Sequence, residues 1–349
     1  MAATNRSIDY DALLTTTSEL YYKKGIVQDN VFENNIVLKK LKAKGTKTQG
    51  GEVIRAGIMT GANDGAQSYS RYEPVSVAPQ DGMTIAHYPW AQYSAPVSID
   101  GLSEFQNSGA AEIQDLLLEK TTQAAMSLQE KVNEHLMDVA NITVSTGATG
   151  NDGKNLISLP LICQVDPTAP GLLGGVQQST QPKWRNINKT NAVDTWAGII
   201  ADMRYVFNSC SRGGGGAPNL IIADQHSFEQ YEAGLDSKSR YTDMGSATAG
   251  FEKIYFKTAE MYWDSYVPDM AAGTNGVPGT ALTNGSMFFL NTKFLDLVCG
   301  KGKDFKPTPF RTPVDQDARV QLILFYGNLI TNNRRKQGLI NSILASIAS

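Results

Sequence analysis

The chain has 349 residues, of which 41% are hydrophobic and 19% are charged, and its formal net charge is -3. Its length is enough for two domains, and its composition is that of an ordered globular protein. Because proteins that bind DNA tightly neutralise phosphates with clustered Lys and Arg, the near-neutral balance argues against a reader of DNA sequence.

The spacing of the cysteines and the hydropathy of the chain indicate its redox environment and its relation to membranes. The three cysteines, Cys163, Cys210 and Cys299, are odd in number and widely spaced. This pattern argues against a disulfide framework or a CxxC metal site, and it suits a reducing cytoplasm. No apolar region follows the first residues and no run of about 18 apolar residues occurs, so we expect neither a targeting segment nor a membrane span.

Residues 1–47 are predicted to form an arm. A short helix is favoured near residues 13–21, where Leu and Tyr side chains recur. Residues 39–44 form a basic stretch, Lys-Lys-Leu-Lys-Ala-Lys. Two interpretations of this stretch stay open: a solvated run of charge, or a contact with an acidic neighbour or with DNA.

Residues 48–98 are predicted to form an extended hairpin. Two β-prone runs, 52–58 and 83–99, flank the turn-forming residues 61–65, which include Asn-Asp-Gly. Prolines keep this region away from the centre of a sheet; they stand at positions 74, 79, 89 and 96. Because a two-stranded ribbon is only marginally stable alone, the hairpin must pack on its own domain or on another surface.

Residues 108–142 show the clearest helical pattern. Ser108 can cap the helix, and acidic residues follow it near the positive end of the helix dipole. Apolar residues fall on one stripe at helical spacing: Ile113, Leu117, Ala124, Leu128, Val132 and Val139. Polar residues fall on the opposite side: Glu112, Asp115, Glu119, Glu130 and Asn133.

The second half of the chain predicts an α/β domain at residues 191–293. Residues 143–190, rich in Gly, Thr, Pro and Asn, precede it and predict loop with short strands. The elements expected within the domain are a helix at 193–210, a buried strand at 220–223, a helix at 225–233 capped by Asp224, and a strand at 251–257. An apolar run at 320–326 then returns to the first domain.

Few residues are candidates for phosphate binding, catalysis or metal binding. Gly213–Gly216 lacks the Lys of a phosphate-binding loop and follows a helix, so a flexible turn is favoured. Asp224, His226 and Ser227 include the residue types of a catalytic triad, but triad members normally converge from separated positions, and Asp224 is better explained as a helix cap. His87 and His135 lack a metal-binding partner at useful spacing.

Three other polar or aromatic groups have structural alternatives. Asp315 and Asp317 stand two apart and face opposite sides if extended, which argues against an acid/base pair. The cations of residues 334–336, Arg-Arg-Lys, could touch DNA or a neighbour's carboxylates, or form a solvated cluster. Tyr262, Trp263 and Tyr266 are expected in the core or an interface, not as a platform for stacked bases. The sequence therefore predicts no catalytic, cofactor-binding or metal site.

Four blocks follow one another in the C-terminal part of the chain: Trp263–Pro268, Met287–Leu295, Thr308–Ala318 and Gly327–Gly338. This order of blocks resembles the major capsid proteins of tailed bacteriophages, which have the Hong Kong 97-type fold. The resemblance implies an α+β fold with an N-terminal arm, an extended E-loop hairpin across the neighbouring subunit, a P-domain with a long spine helix, and an A-domain. It implies the following division: arm 1–47, E-loop hairpin 48–98, P-domain 99–190 with the spine helix at about 108–142, A-domain 191–293, P-domain return 294–330, and a C-terminal segment 331–349 that rejoins the A-domain.

The resemblance also implies a function and partners. The subunit would assemble in the host bacterial cytoplasm into pentamers and hexamers of an icosahedral virion shell that encloses double-stranded DNA without reading its sequence. A portal protein is expected, a decoration protein is possible, and a separate scaffolding protein is expected because 47 residues are too few to hold a scaffolding domain. An encapsulin-like compartment is an alternative within the same fold, and a soluble α/β enzyme is an alternative from another class.

Some capsids of this fold join their subunits by isopeptide bonds from a lysine of the E-loop. Between residues 48 and 98 this chain has Arg55 and Arg71 but no lysine, and Arg cannot supply the amine nucleophile. Lys47 stands at the base of the hairpin, where it is not expected to reach a neighbour. The shell is therefore expected to be held by noncovalent contacts.

Overall fold

In the computed structural model the chain forms two compact units, each built from separated stretches of sequence. The first unit comprises residues 1–34, 92–132 and 302–326, and the second comprises residues 35–91, 133–301 and 327–349. The structure describes residues 36–63, 65–75, 78, 81–106, 116–138, 154–191, 195–236, 254–267, 284–313 and 315–344. The helix expected near 13–21 lies outside these residues, and the division into six segments stays a prediction.

The described residues contain α-helices and β-strands in mixed order. In chain order they are α1 (Ile36–Lys44), β1 (Thr46–Thr48), β2 (Ile54–Met59), β3 (Met83–Tyr88), β4 (Ala91–Asp100), α2 (Gly101–Gln106), α3 (Leu116–Met137), α4 (Leu159–Ile162), β5 (Leu172–Leu173), β6 (Val176–Gln177), β7 (Ile187–Thr190), α5 (Trp196–Ser211), β8 (Leu220–Ala223), α6 (Gln225–Asp236), β9 (Ile254–Phe256), β10 (Ala259–Trp263), β11 (Asn284–Leu290), β12 (Leu295–Gly300), β13 (Lys306–Pro307), β14 (Ala318–Thr331) and β15 (Gly338–Leu344). Within the described ranges, none of the helices is both long and apolar enough to cross a bilayer.

The second unit contains a six-stranded mixed sheet with the order β7-β15-β11-β8-β10-β9. Strand β8 is buried at every position and pairs antiparallel with β11 and parallel with β10. Because successive side chains point to opposite faces of a strand, burial at every position means that both faces are covered, which explains the continuous apolar sequence Leu-Ile-Ile-Ala. Strand β15 pairs with β11 and β7, so it lies in the interior of this sheet.

Helices α5 and α6 form one hydrophobic core with this sheet. Thr195 caps α5, since its side chain accepts a hydrogen bond from the backbone N–H of Gly198 at 3.2 Å. The buried stripe of α5 consists of Ile199, Met203, Val206, Phe207 and Cys210. The helices predicted at 193–210 and 225–233 are thus confirmed at Trp196–Ser211 and Gln225–Asp236, and the predicted strand at 220–223 is confirmed. The strand expected at 251–257 is described at Ile254–Phe256, and residues 251–253 lie outside the described residues.

The second unit also contains β12, which pairs antiparallel with the end of β14 and parallel with β1. Helix α1 packs against β12 through its apolar side, where Val37, Leu38 and Leu41 are buried. Residues 143–190 were predicted as loop with short strands, and in the described part, 154–190, the short strands are β5, β6 and β7. Every residue from 156 to 165 is buried, because this segment supplies core side chains although it contains little regular structure.

In the first unit, β14 pairs with β4 and, antiparallel, with β13. Phe325 of β14 lies between two aromatic rings, with centroids 4.6 Å from Phe305 and 6.1 Å from Tyr93. Helix α3 contacts these strands: Lys120 Nζ donates to the carbonyl of Ser98 at 3.3 Å.

Helix α3 differs from the prediction in where it ends and in the burial of one residue of its polar side. It ends at Met137, before the predicted end at residue 142, and the predicted residues 108–115 and 139–142 lie outside the described residues. Leu128 and Val132 are buried, as the apolar stripe predicts. Asn133, expected on the polar side, is fully buried, so that assignment is wrong.

Candidate assembly surface

The hairpin formed by β2 and β3 has two chemically different faces. The strands pair antiparallel with Ile54 opposite Tyr88 and Met59 opposite Met83. The inner face is buried and consists of Ile54, Ala56, Ile58, Ala86 and Tyr88. The outer face exposes 71% of Met59, 74% of Met83 and 51% of Ile85. The alternation of a strand therefore divides this hairpin into a folded face and an unpartnered apolar face.

The base of the hairpin is fixed by hydrogen bonds to buried backbone. The Tyr88 hydroxyl donates to the carbonyl of Thr331 at 2.6 Å, and burial raises the pKa of Tyr88. The backbone N–H of His87 donates to the carbonyl of Gly174 at 2.9 Å. Gly174 has φ +62°, and a Cβ at this position would lie 2.7 Å from Ala86 Cβ. Only glycine satisfies both the backbone angle and the close contact without strain.

A second pair of hydrogen bonds holds the turn after β3. Asn328 Nδ2 donates to the carbonyl of Pro89 at 2.7 Å, and Trp90 Nε1 donates to the carbonyl of Gly51 at 2.8 Å. The predicted hairpin is confirmed for β2 and β3, but its second arm was predicted too long. The chain leaves the hairpin at Tyr88, and residues 91–100 form β4, which pairs with β14 instead.

The hairpin tip is ordered by hydrogen bonds within itself, and it exposes large side chains, whereas the base is buried. The Ser70–Glu73 turn is closed from both sides: the Glu73 N–H donates to the Ser70 carbonyl, and the Ser70 N–H donates to Glu73 Oε2, each at 3.0 Å. This turn presents Tyr72 with 96% of its surface exposed, and Tyr69 is 67% exposed. Of the ten large hydrophobic residues that are exposed within the described residues, six belong to the hairpin. Exposed apolar area concentrated in this way marks an interaction surface.

A groove of about 460 Å³ lies beside the outer half of β2. Its lining is apolar at Ile58, Met59, Trp184 and Phe294, and its polar lining includes Lys183, Asn332, Asn333 and Arg335. None of the lining residues is acidic. Within the part of the chain that the structure describes, Lys183 and Arg335 have no carboxylate in ion-pair range.

The basic stretch at residues 39–44 is largely exposed, as a solvated run predicts, but two of its lysines also pair with carboxylates of the same unit. It forms most of α1, and Lys40 Nζ lies 2.7 Å from Glu260 Oε2. Lys44 Nζ lies 3.0 Å from Asp296 and also donates to the carbonyl of Thr292. The apolar side of α1 attaches the helix to its unit, and the ion pairs neutralise part of its exposed positive charge.

The cations at residues 334–336 divide between core and surface. Arg334 is fully buried: its Nε donates to the Ile162 carbonyl at 2.6 Å, its Nη2 to the Leu161 carbonyl at 3.0 Å, and its Nη1 to Gln178 Oε1 at 2.6 Å. Lys336 is also buried and donates to the carbonyl of Arg212 at 2.9 Å. Both interpretations of this run, a DNA contact and a solvated cluster, are wrong for Arg334 and Lys336; Arg335 alone is exposed.

The residues with triad chemistry do not form a triad. Asp224 Oδ2 accepts from the Ser227 N–H at 3.1 Å, and its Oδ1 accepts from the Ser286 N–H at 2.9 Å. Ser227 is fully buried, so its hydroxyl faces no substrate. His226 Nε2 lies 3.2 Å from Gln230 and not against Ser227. The prediction that Asp224 is a helix cap is confirmed.

The remaining candidates also have structural roles. The glycine turn at 213–216 has positive φ at three positions, and the Gly213 carbonyl points to the Lys336 ammonium, the opposite polarity to a phosphate cradle. Asp315 and Asp317 are both exposed, whereas Tyr262 is buried and Trp263 is 39% exposed. Among the described residues no cluster of His, Cys, Asp or Glu could hold a metal ion. All three cysteines are buried and none forms a disulfide, and burial raises the pKa of Cys210 to about 12.

Two buried polar contacts escaped the sequence interpretation. Asn133 Nδ2 donates to the Asp264 carboxylate at 3.3 Å, and burial raises the pKa of Asp264. Gln178 Nε2 donates to Gln164 Oε1 and to the Ala169 carbonyl at 2.8 Å. A partial signal existed for Arg334, because only six residues, 332–337, connect β14 to β15 and both strands carry apolar runs.

No protein-family model matches the sequence, and no curated protein resembles it at a significant level. Several solved structures are similar to this chain. The capsid of the cyanophage A-1(L) has a TM-score of 0.64 with 15% identity, covering 95% of this chain and 99% of that one. The encapsulin SrpI of Synechococcus elongatus PCC 7942 has a TM-score of 0.59 with 9% identity, covering 93% and 92%. The capsid of the native GTA particle has a TM-score of 0.57 with 8% identity, covering 94% and 97%.

These similarities extend over nearly the whole of each chain at identities far below those that imply a shared activity. They show the fold. The chain has a mixed α+β fold of the phage major capsid protein type, similar to Hong Kong 97-type capsids.

Proposed function

We propose that this chain is the major capsid protein of a tailed bacteriophage, a non-enzymatic subunit that assembles into an icosahedral shell around double-stranded DNA. The observation that carries the proposal is the hairpin, whose base is anchored in the subunit while its outer face and tip expose six large apolar residues. A folded monomer gains nothing from this exposure, whereas a shell subunit buries it against a neighbour.

The finer architecture belongs to the same proposal. The β2–β3 hairpin corresponds to the E-loop, α3 to the spine helix of the P-domain, and the six-stranded sheet with α5 and α6 to the core of the A-domain. The near-neutral charge suits a container that encloses DNA without reading it. A portal protein, a separate scaffolding protein and a possible decoration protein are the partners of such a shell.

The test is assembly. Expression with the cognate scaffolding protein should yield closed particles in electron micrographs. Replacing Met59, Met83 and Ile85 together with serine should leave the subunit folded, because all three are exposed, but should abolish or strongly reduce particles. Leucine at the two methionine positions is the matched control and should preserve assembly. A wild-type chain that stays monomeric or dimeric with its scaffold would count against the proposal, and so would a serine variant that assembles normally.

An encapsulin-like compartment is the second candidate, favoured by the similarity to SrpI over 93% of this chain. The two functions differ in what the shell holds. Purified particles that contain nuclease-protected double-stranded DNA support a capsid, and particles that contain a folded enzyme and no DNA support a compartment.

A further inference from the structure

The hairpin tip carries a preformed aromatic projection. In the Ser70–Glu73 turn both backbone ends are hydrogen-bonded within the turn, as described above, and Pro74 follows directly. Tyr72 at its centre is 96% exposed although it is a large amphipathic side chain. An ordered turn loses little conformational entropy on docking, so it binds more favourably than a flexible loop with the same side chains. We define Tyr69–Glu73 as the knob.

The groove between β2 and the segment 332–335 complements this knob. Its apolar lining includes Trp184, which is 1% exposed and whose Nε1 donor has no partner among the described residues. Lys183 and Arg335 supply positive charge without a paired carboxylate in the described part of the chain. Glu73 of the knob carries a negative charge, and a volume of about 460 Å³ has room for tyrosine side chains.

From these observations we propose that the groove of each subunit receives the Tyr69–Glu73 knob of a second copy of the chain. Tyr72 enters the apolar part of the groove, and the Glu73 carboxylate lies near Lys183 and Arg335. The inference rests on the proposed function and adds the receiving site, which that function leaves unspecified. Aromatic anchors in pockets, rimmed by charge, are the usual centres of binding energy in interfaces.

The knob and the groove are different surfaces of one chain, so the contact is heterologous. A heterologous contact gives each subunit one neighbour on each side, and it closes into a ring when the rotation permits. Each subunit in a pentamer or hexamer would then use its knob once and its groove once. The same geometry predicts that a subunit lacking the knob terminates a chain of contacts rather than closing a ring.

A photo-crosslinking experiment on assembled particles tests this contact directly. Tyr72 is replaced by p-benzoylphenylalanine, which keeps an aromatic side chain, and the labelled subunit is assembled with scaffold and an excess of ¹⁵N wild-type chain. Irradiation followed by mass spectrometry should join residue 72 to ¹⁵N peptides from 57–62, 182–184 or 332–335. The same reagent at Tyr205, exposed on α5, is the control and should give no cross-links in the groove.

A charge variant gives a second readout. Lys183→Glu with Arg335→Glu changes two exposed side chains, so the subunit should melt like the parent. It should raise the subunit concentration needed for half-maximal assembly by about tenfold or more, the size expected for unpaired charges at an interface. Glu73→Gln, which keeps the acceptor for the Ser70 N–H, should also weaken assembly, though by less.

The outcomes separate the two proposals. Particles whose residue-72 cross-links fall within one chain, or on peptides outside the groove, overturn this docking and leave the capsid proposal intact. A charge variant that assembles at the parental concentration also overturns it. A wild-type chain that forms no particles with its scaffold rejects the proposed function and this contact with it.

Discussion

Arg334 supplies the sharpest test of what holds the second unit together. It is a fully buried guanidinium with three hydrogen bonds and, among the described residues, no carboxylate partner. Burial lowers the pKa of Arg334 to about 10, so the group stays cationic at neutral pH. Its acceptors are the carbonyls of Leu161 and Ile162, where α4 ends, and the side chain of Gln178. Within the described residues, the positive charge is therefore stabilised by hydrogen bonds to three neutral oxygens.

The perturbation is Arg334→Met, which keeps an unbranched side chain and removes every donor. A buried acceptor left unpaired costs about 1–3 kcal/mol, so three acceptors cost roughly 3–9 kcal/mol. Removing the guanidinium also removes its desolvation penalty, which amounts to several kcal/mol. Buried ionic groups can be replaced by apolar ones when all partners are replaced, but the carbonyls of Leu161 and Ile162 stay in the backbone. We therefore expect a net loss of about 3 kcal/mol in the free energy of unfolding.

The assay is urea denaturation followed by tryptophan fluorescence, at subunit concentrations below those that permit assembly. The matched control is Arg335→Met, one residue away and exposed, which should change the free energy of unfolding by less than about 0.5 kcal/mol. Arg334→Lys should also destabilise, because a single ammonium cannot reproduce the fork geometry. Equal unfolding midpoints for the two methionine variants would refute the reasoning, since the buried hydrogen bonds would then contribute nothing.

Three further predictions concern the hairpin, a buried acid and the shell. Gly174→Ala should lower the unfolding free energy by about 1–3 kcal/mol, because its Cβ would lie 2.7 Å from Ala86 Cβ at a φ of +62°; an unchanged thermal melt would contradict this. Burial raises the pKa of Asp264, so the folded state holds this proton more tightly than the unfolded state, and stability falls as pH rises from about 4 through the raised pKa. Asp264→Asn should therefore gain stability relative to the parent over that pH range and then level off, whereas a difference independent of pH in urea titrations would show that the acid does not titrate in this way. Boiled mature particles should run as one band near 37.8 kDa, because residues 48–98 contain no lysine, and a ladder of covalent multimers would exclude this.

The sequence predicts correctly those elements that are determined by residues close together in the chain. The stripe of α5, the cap formed by Asp224 and the strand β8 all depend on residues within a few positions of one another. Periodicity and capping report such short-range preferences directly. The hairpin was predictable for the same reason, since turn-forming residues lie between two β-prone runs, but its end at Tyr88 depends on the pairing of β4 with β14, more than 200 positions away in sequence.

The polar interior could not be predicted because its partners are remote. Asn133 occupies a position that periodicity assigns to solvent, yet Asp264 lies within hydrogen-bond distance of it, 131 positions further along the chain. Arg334 stands in a run of three cations, which composition assigns to the surface, and its acceptors lie at residues 161, 162 and 178. A buried polar group is tolerated only when such partners exist, and a single sequence does not show them.

The hairpin separates the residues that fold the subunit from those that would assemble it. Tyr88 and Gly174 at its base are buried and hydrogen-bonded, so substitutions there should first lower the melting temperature of the isolated subunit. Met59, Met83 and Tyr72 contribute little to the isolated fold because they are exposed, and at about 25 cal/mol per Å² their apolar area becomes stabilising only when another surface covers it. Since the buried and exposed residues of the hairpin occupy its opposite faces, the fold can keep its tip and outer face apolar without distorting the base, which Gly174 contacts from outside the hairpin. A surface selected only for solubility in a monomer would have no reason to keep these side chains apolar, which is why their position argues for a subunit made to be covered.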